Sequence, residues 1–128
     1  METSLFLCEY ASHNIDGTIT AIRVGIDTIW GPLPIKLNLY SYARIKFDKR
    51  GDYMVYFKLL DEKDNPTVKG IPSELPIKVE DKDVDKAFSL VARIVTELNG
   101  HGLYYFKLFV NDKEEAKWSI LASESNKK

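Results

Sequence analysis

Apolar and polar residues alternate with a period of two along much of the chain, most clearly over residues 102–110. Four apolar residues of this segment share one side of an extended chain: Tyr104, Phe106, Leu108 and Val110. After a polar turn, a second set repeats the alternation: Ala116, Trp118 and Ile120. Because successive side chains of a strand point to opposite faces of a sheet, the two segments predict a β-hairpin with one buried face.

Three more strand patterns lie in the N-terminal half. Residues 5–11 predict a first strand, and Asp16 with Gly17 predicts the turn that follows it. Residues 18–30 predict one long strand, in which Gly25 marks a bulge. Residues 36–47 alternate clearly, and their inward-facing members are Leu37, Leu39, Ala43, Ile45 and Phe47.

The middle of the chain carries one strong strand pattern and two weak ones. Residues 53–60 place four side chains on one buried side: Tyr53, Val55, Phe57 and Leu59. A polar loop over residues 61–66 follows. Residues 67–69 and 76–80 then predict two edge strands, separated by a turn at residues 70–73.

Residues 86–98 fit two patterns. A helical spacing connects Val84, Phe88, Val91, Val95 and Leu98, and Asn99-Gly100 would end a helix well. A period of two connects Phe88, Leu90, Ala92, Ile94 and Leu98. We favour a strand, since a lone helix would interrupt an otherwise all-β order.

About eight strand-length segments separated by turns predict an all-β fold, an antiparallel two-sheet β-sandwich of immunoglobulin-like or C2-like type with at most one short helix. We expect one domain over residues 1–122 and a polar C-terminal tail over residues 123–128. The predicted core comprises Ile22, Val24, Leu39, Ile45, Val55, Phe57, Phe106, Leu108, Trp118 and Ile120.

Composition narrows the classes of partner. The 128 residues carry a net charge of −1, with acidic and basic residues interspersed. A nucleic-acid binder normally has a basic excess, because contacts with phosphates supply most of its affinity, so no nucleic-acid partner is expected. The N-terminal apolar run is too short for a signal peptide, and no segment is long and apolar enough to cross a membrane. With Cys8 as the one cysteine, the chain is expected to be cytoplasmic.

The chain resembles a family of short, uncharacterised bacterial proteins, known as a domain of unknown function. The N-terminal resemblance lies in Leu7-Cys8-Glu9-Tyr10-Ala11, in Asp16-Gly17 and in Ile22-Arg23-Val24-Gly25-Ile26-Asp27-Thr28-Ile29-Trp30. The C-terminal resemblance lies in Gly102-Leu103-Tyr104-Tyr105-Phe106 and in the turn Asn111-Asp112-Lys113. Lys113 stands where the family has a turn glycine, which a loop longer than two residues would tolerate. The resemblance implies a β-sandwich and a strand over residues 86–98, and it supplies no catalytic residues.

Few residues of the sequence suggest catalysis or metal binding. His13 and His101 both fall in predicted turns, and an acid–base or metal site would need them at one end of the sandwich. Cys8 lies in an apolar strand, where burial raises the pKa of a thiol and makes it a poor nucleophile. A calcium site of C2 style would need carboxylates gathered from Asp48, Asp52, Asp61 and Asp64. We therefore expect no enzyme, no metal and no cofactor.

The outward-facing residues of two predicted strands favour a binding face. The predicted strand over residues 36–47 contributes Tyr40, Tyr42 and Arg44, and the one over residues 53–60 contributes Met54, Tyr56 and Lys58. If the two strands form a hairpin, Arg44 lies near Tyr56 and Tyr42 near Lys58. Tyrosine and arginine are enriched at protein interfaces, although tyrosines also suit strands that bind nothing.

These observations favour a non-catalytic interaction module that binds a protein partner or itself, with a homodimer as the favoured form. The alternatives are a sandwich that binds a carbohydrate or another small ligand, which would show a deep cleft lined by aromatic residues, and a small hydrolase.

Overall fold

A computed structural model of the protein describes residues 1–66 and 74–124. These residues form nine strands: β1 (Glu2–His13), β2 (Ile19–Val24), β3 (Thr28–Trp30), β4 (Ile35–Lys46), β5 (Gly51–Asp61), β6 (Leu75–Val79), β7 (Ala87–Leu98), β8 (Gly102–Val110) and β9 (Lys113–Ser123). A single 3₁₀ turn, Asp81–Asp83, is the helical element of the described part. The all-β prediction is confirmed. The expected strand at residues 67–69 and the turn at residues 70–73 lie outside the described residues.

The strands form two sheets, one in the order β2-β1-β4-β7 and the other in the order β3-β9-β8-β5-β6. The second sheet is strongly curled, and the pair resembles a sandwich. Within the described ranges, all strand pairs are antiparallel except β3 with β9, which run parallel. The prediction of a purely antiparallel sandwich is wrong at this pair, because the chain leaves β2 in the first sheet and enters the second sheet as β3.

The predicted long strand over residues 18–30 is broken at Gly25. This glycine has φ +94, and its N–H donates to the Leu7 carbonyl at 2.8 Å, as does the N–H of Ile26 at 3.1 Å. The chain then crosses to the other sheet, where the N–H of Leu121 donates to the Asp27 carbonyl. Gly25 is therefore the point at which the chain leaves β2 and changes sheets.

Most of the predicted core is confirmed. Six of the predicted residues are buried, namely Ile45, Val55, Phe57, Phe106, Leu108 and Ile120. Leu39 and Trp118 are partly buried and pack against this core. Ile22 and Val24 are 50% and 52% exposed, so their assignment to the core was wrong. Both lie on β2, an edge strand that pairs only with β1 among the described residues.

The strand that the alternating pattern and the family resemblance predicted over residues 86–98 is confirmed, and it begins at Ala87. β7 pairs with β4 along its whole length, from Ala87 opposite Lys46 to Leu98 opposite Ile35. The apolar residues of the two-residue pattern face the core, whereas Val91 and Val95 of the helical spacing lie on the opposite face of the sheet.

The predicted C-terminal hairpin is confirmed, with Phe106 opposite Trp118 in β8 and β9. Its loop has only two residues, Asn111 and Asp112, with φ of 50° and 67°. Lys113 needs no longer loop, because it lies in β9 and Asn111 and Asp112 adopt the positive φ that a tight hairpin requires. β9 continues to Ser123, so the strand extends into the predicted tail, of which residues 125–128 lie outside the described part.

Candidate interaction surfaces

The structure divides the predicted binding face between two sheets. Tyr40, Tyr42 and Arg44 lie on β4 in the four-stranded sheet, whereas Met54, Tyr56 and Lys58 lie on β5 in the five-stranded sheet. Arg44 pairs with Ser89, and Tyr56 pairs with Phe109. The predicted contacts of Arg44 with Tyr56 and of Tyr42 with Lys58 were therefore wrong, because β4 and β5 are joined by an arch between the sheets and do not form a hairpin.

The β1–β2 hairpin folds over the outer face of β4 and β7. In β1, Ser4 lies beside Arg44, which lies beside Ser89, so two strand spacings of about 5 Å separate Ser4 from Ser89. A straight strand would carry His13 about 30 Å beyond Ser4. Instead, the Nε2 of His13 lies 2.9 Å from the Ser89 carbonyl, and β1 must bend to bring it there.

This bend covers the tyrosines that the sequence assigned to a binding face. The rings of Tyr10 and Tyr40 meet edge to face at 5.1 Å, and those of Phe6 and Tyr42 lie 6.4 Å apart. Cys8 and Ala11 are buried, although neither belongs to the main core between the sheets. The tyrosines of β4 thus help to form a second small apolar cluster beneath the chain's own hairpin.

The outer face of the five-stranded sheet carries a different arrangement. Tyr56 and Phe109 stack with their rings 5.1 Å apart and 6° from parallel, and the Nζ of Lys58 lies 5.6 Å and 5.2 Å from their centroids. The Tyr56 hydroxyl donates to the Asp112 carboxylate at 2.7 Å, which raises the pKa of Tyr56. The hairpin turn also binds the backbone of Met54 through the Asn111 side chain.

Three lysines form a row across three neighbouring strands of this face. Lys58 lies opposite Lys107, and Lys107 lies opposite Lys117. Lys107 is 16% exposed and contacts Glu114 at 2.8 Å and Asp64 at 3.8 Å. Its hydrogen bond to Glu114 raises the pKa of Lys107. The Nζ of Lys117 lies 5.0 Å from the centroid of the Tyr105 ring.

We call this surface the lysine–aromatic face, defined by Tyr56, Lys58, Tyr105, Lys107, Phe109 and Lys117. The pattern of outward-facing residues predicted only the β5 members of this face and not those of β8 and β9. A signal was available, because Tyr105, Lys107 and Phe109 alternate with the buried Tyr104, Phe106 and Leu108 and must therefore point outward.

The two histidines do not meet. His13 bonds to the Ser89 carbonyl near the start of β7, whereas His101 follows the end of β7 and its Nε2 lies 3.1 Å from the Gly31 carbonyl. Both side chains belong to exposed residues. The acid–base or metal pair considered from the sequence is therefore not assembled.

Cys8 is buried, as predicted. Its thiol donates to the Tyr40 carbonyl at 3.5 Å, and burial raises the pKa of Cys8. The thiol is therefore protonated at neutral pH and covered by the chain, which does not suit a nucleophile.

The candidate calcium carboxylates lie at opposite ends of β5. Asp48 binds the N-terminal amine at 3.1 Å, an ion pair that lowers the pKa of Asp48. Asp61 accepts hydrogen bonds from the N–H groups of Lys63 and Asn65, which lower the pKa of Asp61 and hold the turn. Over residues 1–66 and 74–124, no group of three potential metal ligands is found.

One open depression has polar walls. It lies between the arch after β4 and the strand β6 and is lined by Arg50, Gly51, Asp52, Lys78, Val79, Glu80 and Asp81, without an aromatic side chain. In the described part of the chain, no helix is long and apolar enough to cross a membrane.

Comparison with known proteins gives one family. Residues 3–123 match the sequence model of a family of unknown function, DUF6941. No curated protein matches the chain. The family resemblance inferred from the sequence is thus confirmed at the level of an uncharacterised domain.

Proposed function

The chain belongs to the DUF6941 family of unknown function, and we propose that it is a non-catalytic module that binds a protein partner through the lysine–aromatic face. The observation that carries this proposal is the row formed by Lys58, Lys107 and Lys117. Like charges directly opposite each other on neighbouring strands are destabilising. The repulsion between the lysines of such a row is relieved most when carboxylates of a partner approach it.

The residues around the row support a protein interface. Tyr56, Phe109 and Tyr105 flank the lysines, and aromatic residues supply many of the strongest contacts in protein interfaces. Lys58 and Lys117 are exposed, whereas Lys107 is already paired with Glu114 and Asp64. The face therefore offers two exposed cations beside aromatic rings, which suits an acidic side chain within an apolar protein surface.

The partner proposed here is a protein and not a nucleic acid. Asp64, Asp112 and Glu114 border the lysines, and a polyanion would be repelled by these carboxylates. The net charge of −1 also argues against a nucleic-acid partner, since phosphate binding depends on many cationic contacts.

We also propose that the sandwich is of immunoglobulin-like and not of C2-like type. In immunoglobulin domains, strands A, B and E are neighbours in one sheet, and strands G, F and C in the other. The orders β1-β4-β7 and β9-β8-β5 correspond to these two runs. The hydroxyl of Tyr104, near the start of β8, donates to the Gly100 carbonyl at 2.7 Å, which is the geometry of a tyrosine corner at strand F.

As part of the proposal, the module works in the cytoplasm of bacteria. The buried, unpaired thiol of Cys8 suits a reducing compartment, in which cysteines persist as thiols.

Affinity capture from the native host tests the proposed face. Lys58→Glu with Lys117→Glu should reduce recovery of the bound partner at least about tenfold, the loss expected for strong interface residues. The matched control is Lys36→Glu with Lys46→Glu, the same charge change on the outer face of β4. Equal recovery by both variants, with both folded by circular dichroism, would remove the lysine–aromatic face from the proposal.

A further inference from the structure

β7 is an edge strand in the part of the chain that the structure describes. It spans Ala87–Leu98 and pairs with β4 over that whole length. Among residues 1–66 and 74–124, no strand pairs with its other side. The N–H and C=O groups on such an edge are available to another strand, and proteins usually protect edges of this length.

Two hydrogen bonds show which backbone groups face the open side. The Ser41 hydroxyl donates to the Ala92 carbonyl at 3.4 Å, so the backbone groups of Ala92 point towards β4. His13 bonds to the Ser89 carbonyl, which points the other way. Because backbone groups alternate in direction along an antiparallel strand, those of Val91, Arg93, Val95 and Glu97 face the open edge.

The exposed side chains on this edge are self-complementary. Arg93, Val95 and Glu97 are all exposed, and Val95 is an exposed apolar residue at 49%. They follow one another on the outer face as cation, apolar residue and anion, with Val95 at the centre. A second copy running antiparallel about Val95 would face each cation with an anion.

We propose that a second copy of this chain pairs with the open edge of β7 about a two-fold axis at Val95. Val95 then lies opposite its own copy, and Arg93 of each chain lies opposite Glu97 of the other. All three residue pairs are of the kind that exchanges two backbone hydrogen bonds, because all have their N–H and C=O groups on the open edge. The two four-stranded sheets join into one continuous sheet.

The structure favours this register over one centred on Arg93. An axis at Arg93 would place the two arginines directly opposite each other, which is destabilising. It would also extend the pairing to Ser89, whose edge carbonyl already accepts from His13. The proposed register uses only residues 92–98, beyond that contact.

The dimer does not rest on the proposed partner-binding function. The edge of β7 belongs to the four-stranded sheet, whereas the lysine–aromatic face lies on the other sheet. A dimer would present that face twice. If the partner-capture experiment fails, the dimer proposal still stands. If the chain proves to be monomeric, the proposal that the lysine–aromatic face binds a partner still stands.

Charge-swap variants test the register in sedimentation experiments. Arg93→Glu places two carboxylates opposite each other at both ends of the interface, and Glu97→Arg places two cations there. Each single variant should therefore be monomeric at concentrations at which the wild type is a dimer. Mixing the two variants in equal amounts should restore a dimer, because each new charge then faces its opposite. The double variant Arg93→Glu/Glu97→Arg should also dimerise.

Three results would overturn the proposal. A wild-type chain that stays monomeric up to millimolar concentration excludes the dimer. Single variants that dimerise as well as the wild type exclude the edge of β7 as the interface. Monomeric single variants that fail to associate when mixed exclude the pairing of Arg93 with Glu97.

Discussion

Tyr104 connects the start of β8 to the turn that precedes it. Its ring is buried against the core, and its hydroxyl donates to the Gly100 carbonyl at 2.7 Å. The hydroxyl is part-buried, so its removal leaves the carbonyl with one partner fewer and little access to water.

Tyr104→Phe should therefore lower the free energy of unfolding by about 1 kcal/mol, the usual contribution of one hydrogen bond. The control is Tyr105→Phe, whose neighbouring ring lies on the outer face and should change stability by less than about 0.5 kcal/mol. Urea denaturation of both variants measures the difference, and equal midpoints would contradict the proposed contribution of the hydrogen bond.

At the scale of residues, the sequence predicted burial well for strands that have a neighbour on both sides. The alternation in β5 and β8 identified Phe57 and Phe106 correctly, since each faces the opposite sheet. It failed for Ile22 and Val24, because an apolar residue on an edge strand is buried only if another element covers it. Periodicity along one strand carries no information about that cover.

Between the sheets, Phe57 of β5 stacks on Phe106 of β8, with the rings 5.2 Å apart and 9° from parallel. Phe106 is fully buried, and Phe57 is 8% exposed. The stack joins two paired strands to the core, where the sequence predicted both residues to lie.

Phe106→Ala should lower the free energy of unfolding by about 3–5 kcal/mol, and Phe57→Ala should have a loss in the same range. Phe109→Ala is the matched control, because Phe109 lies on the same strand but on the outer face. It should show a clearly smaller loss. Equal losses for Phe106→Ala and Phe109→Ala in equilibrium unfolding would contradict the assignment of inner and outer faces.

At the scale of elements, the strands themselves were mostly predictable and their partners were not. The two-residue period identified β4, β5, β7 and β8. The same period cannot distinguish a hairpin from an arch, because both join consecutive strands through a short polar loop. The arch between β4 and β5 therefore separated six residues that the sequence had placed on one face.

For the whole molecule, the two outer faces differ in what covers them. The β1–β2 hairpin lies over the tyrosines of β4, whereas the described residues place no strand over the lysine–aromatic face. The bend of β1 that causes this difference depends on contacts between residues distant in sequence, such as His13 with Ser89. Local sequence patterns carry no information about such contacts, so the cover over the tyrosines could not be predicted.

Site-specific photo-crosslinking in the native host tests most directly whether the lysine–aromatic face is the binding surface. A benzoyl-phenylalanine would replace Tyr105 on that face in one variant and Tyr42 beneath the hairpin in the other. Both positions hold half-buried tyrosines on outer faces, so the two variants differ in the sheet that carries the probe and in whether the hairpin lies over that sheet. The account predicts a covalent adduct with a partner protein from position 105 and none from position 42. An adduct from position 42 alone would contradict it.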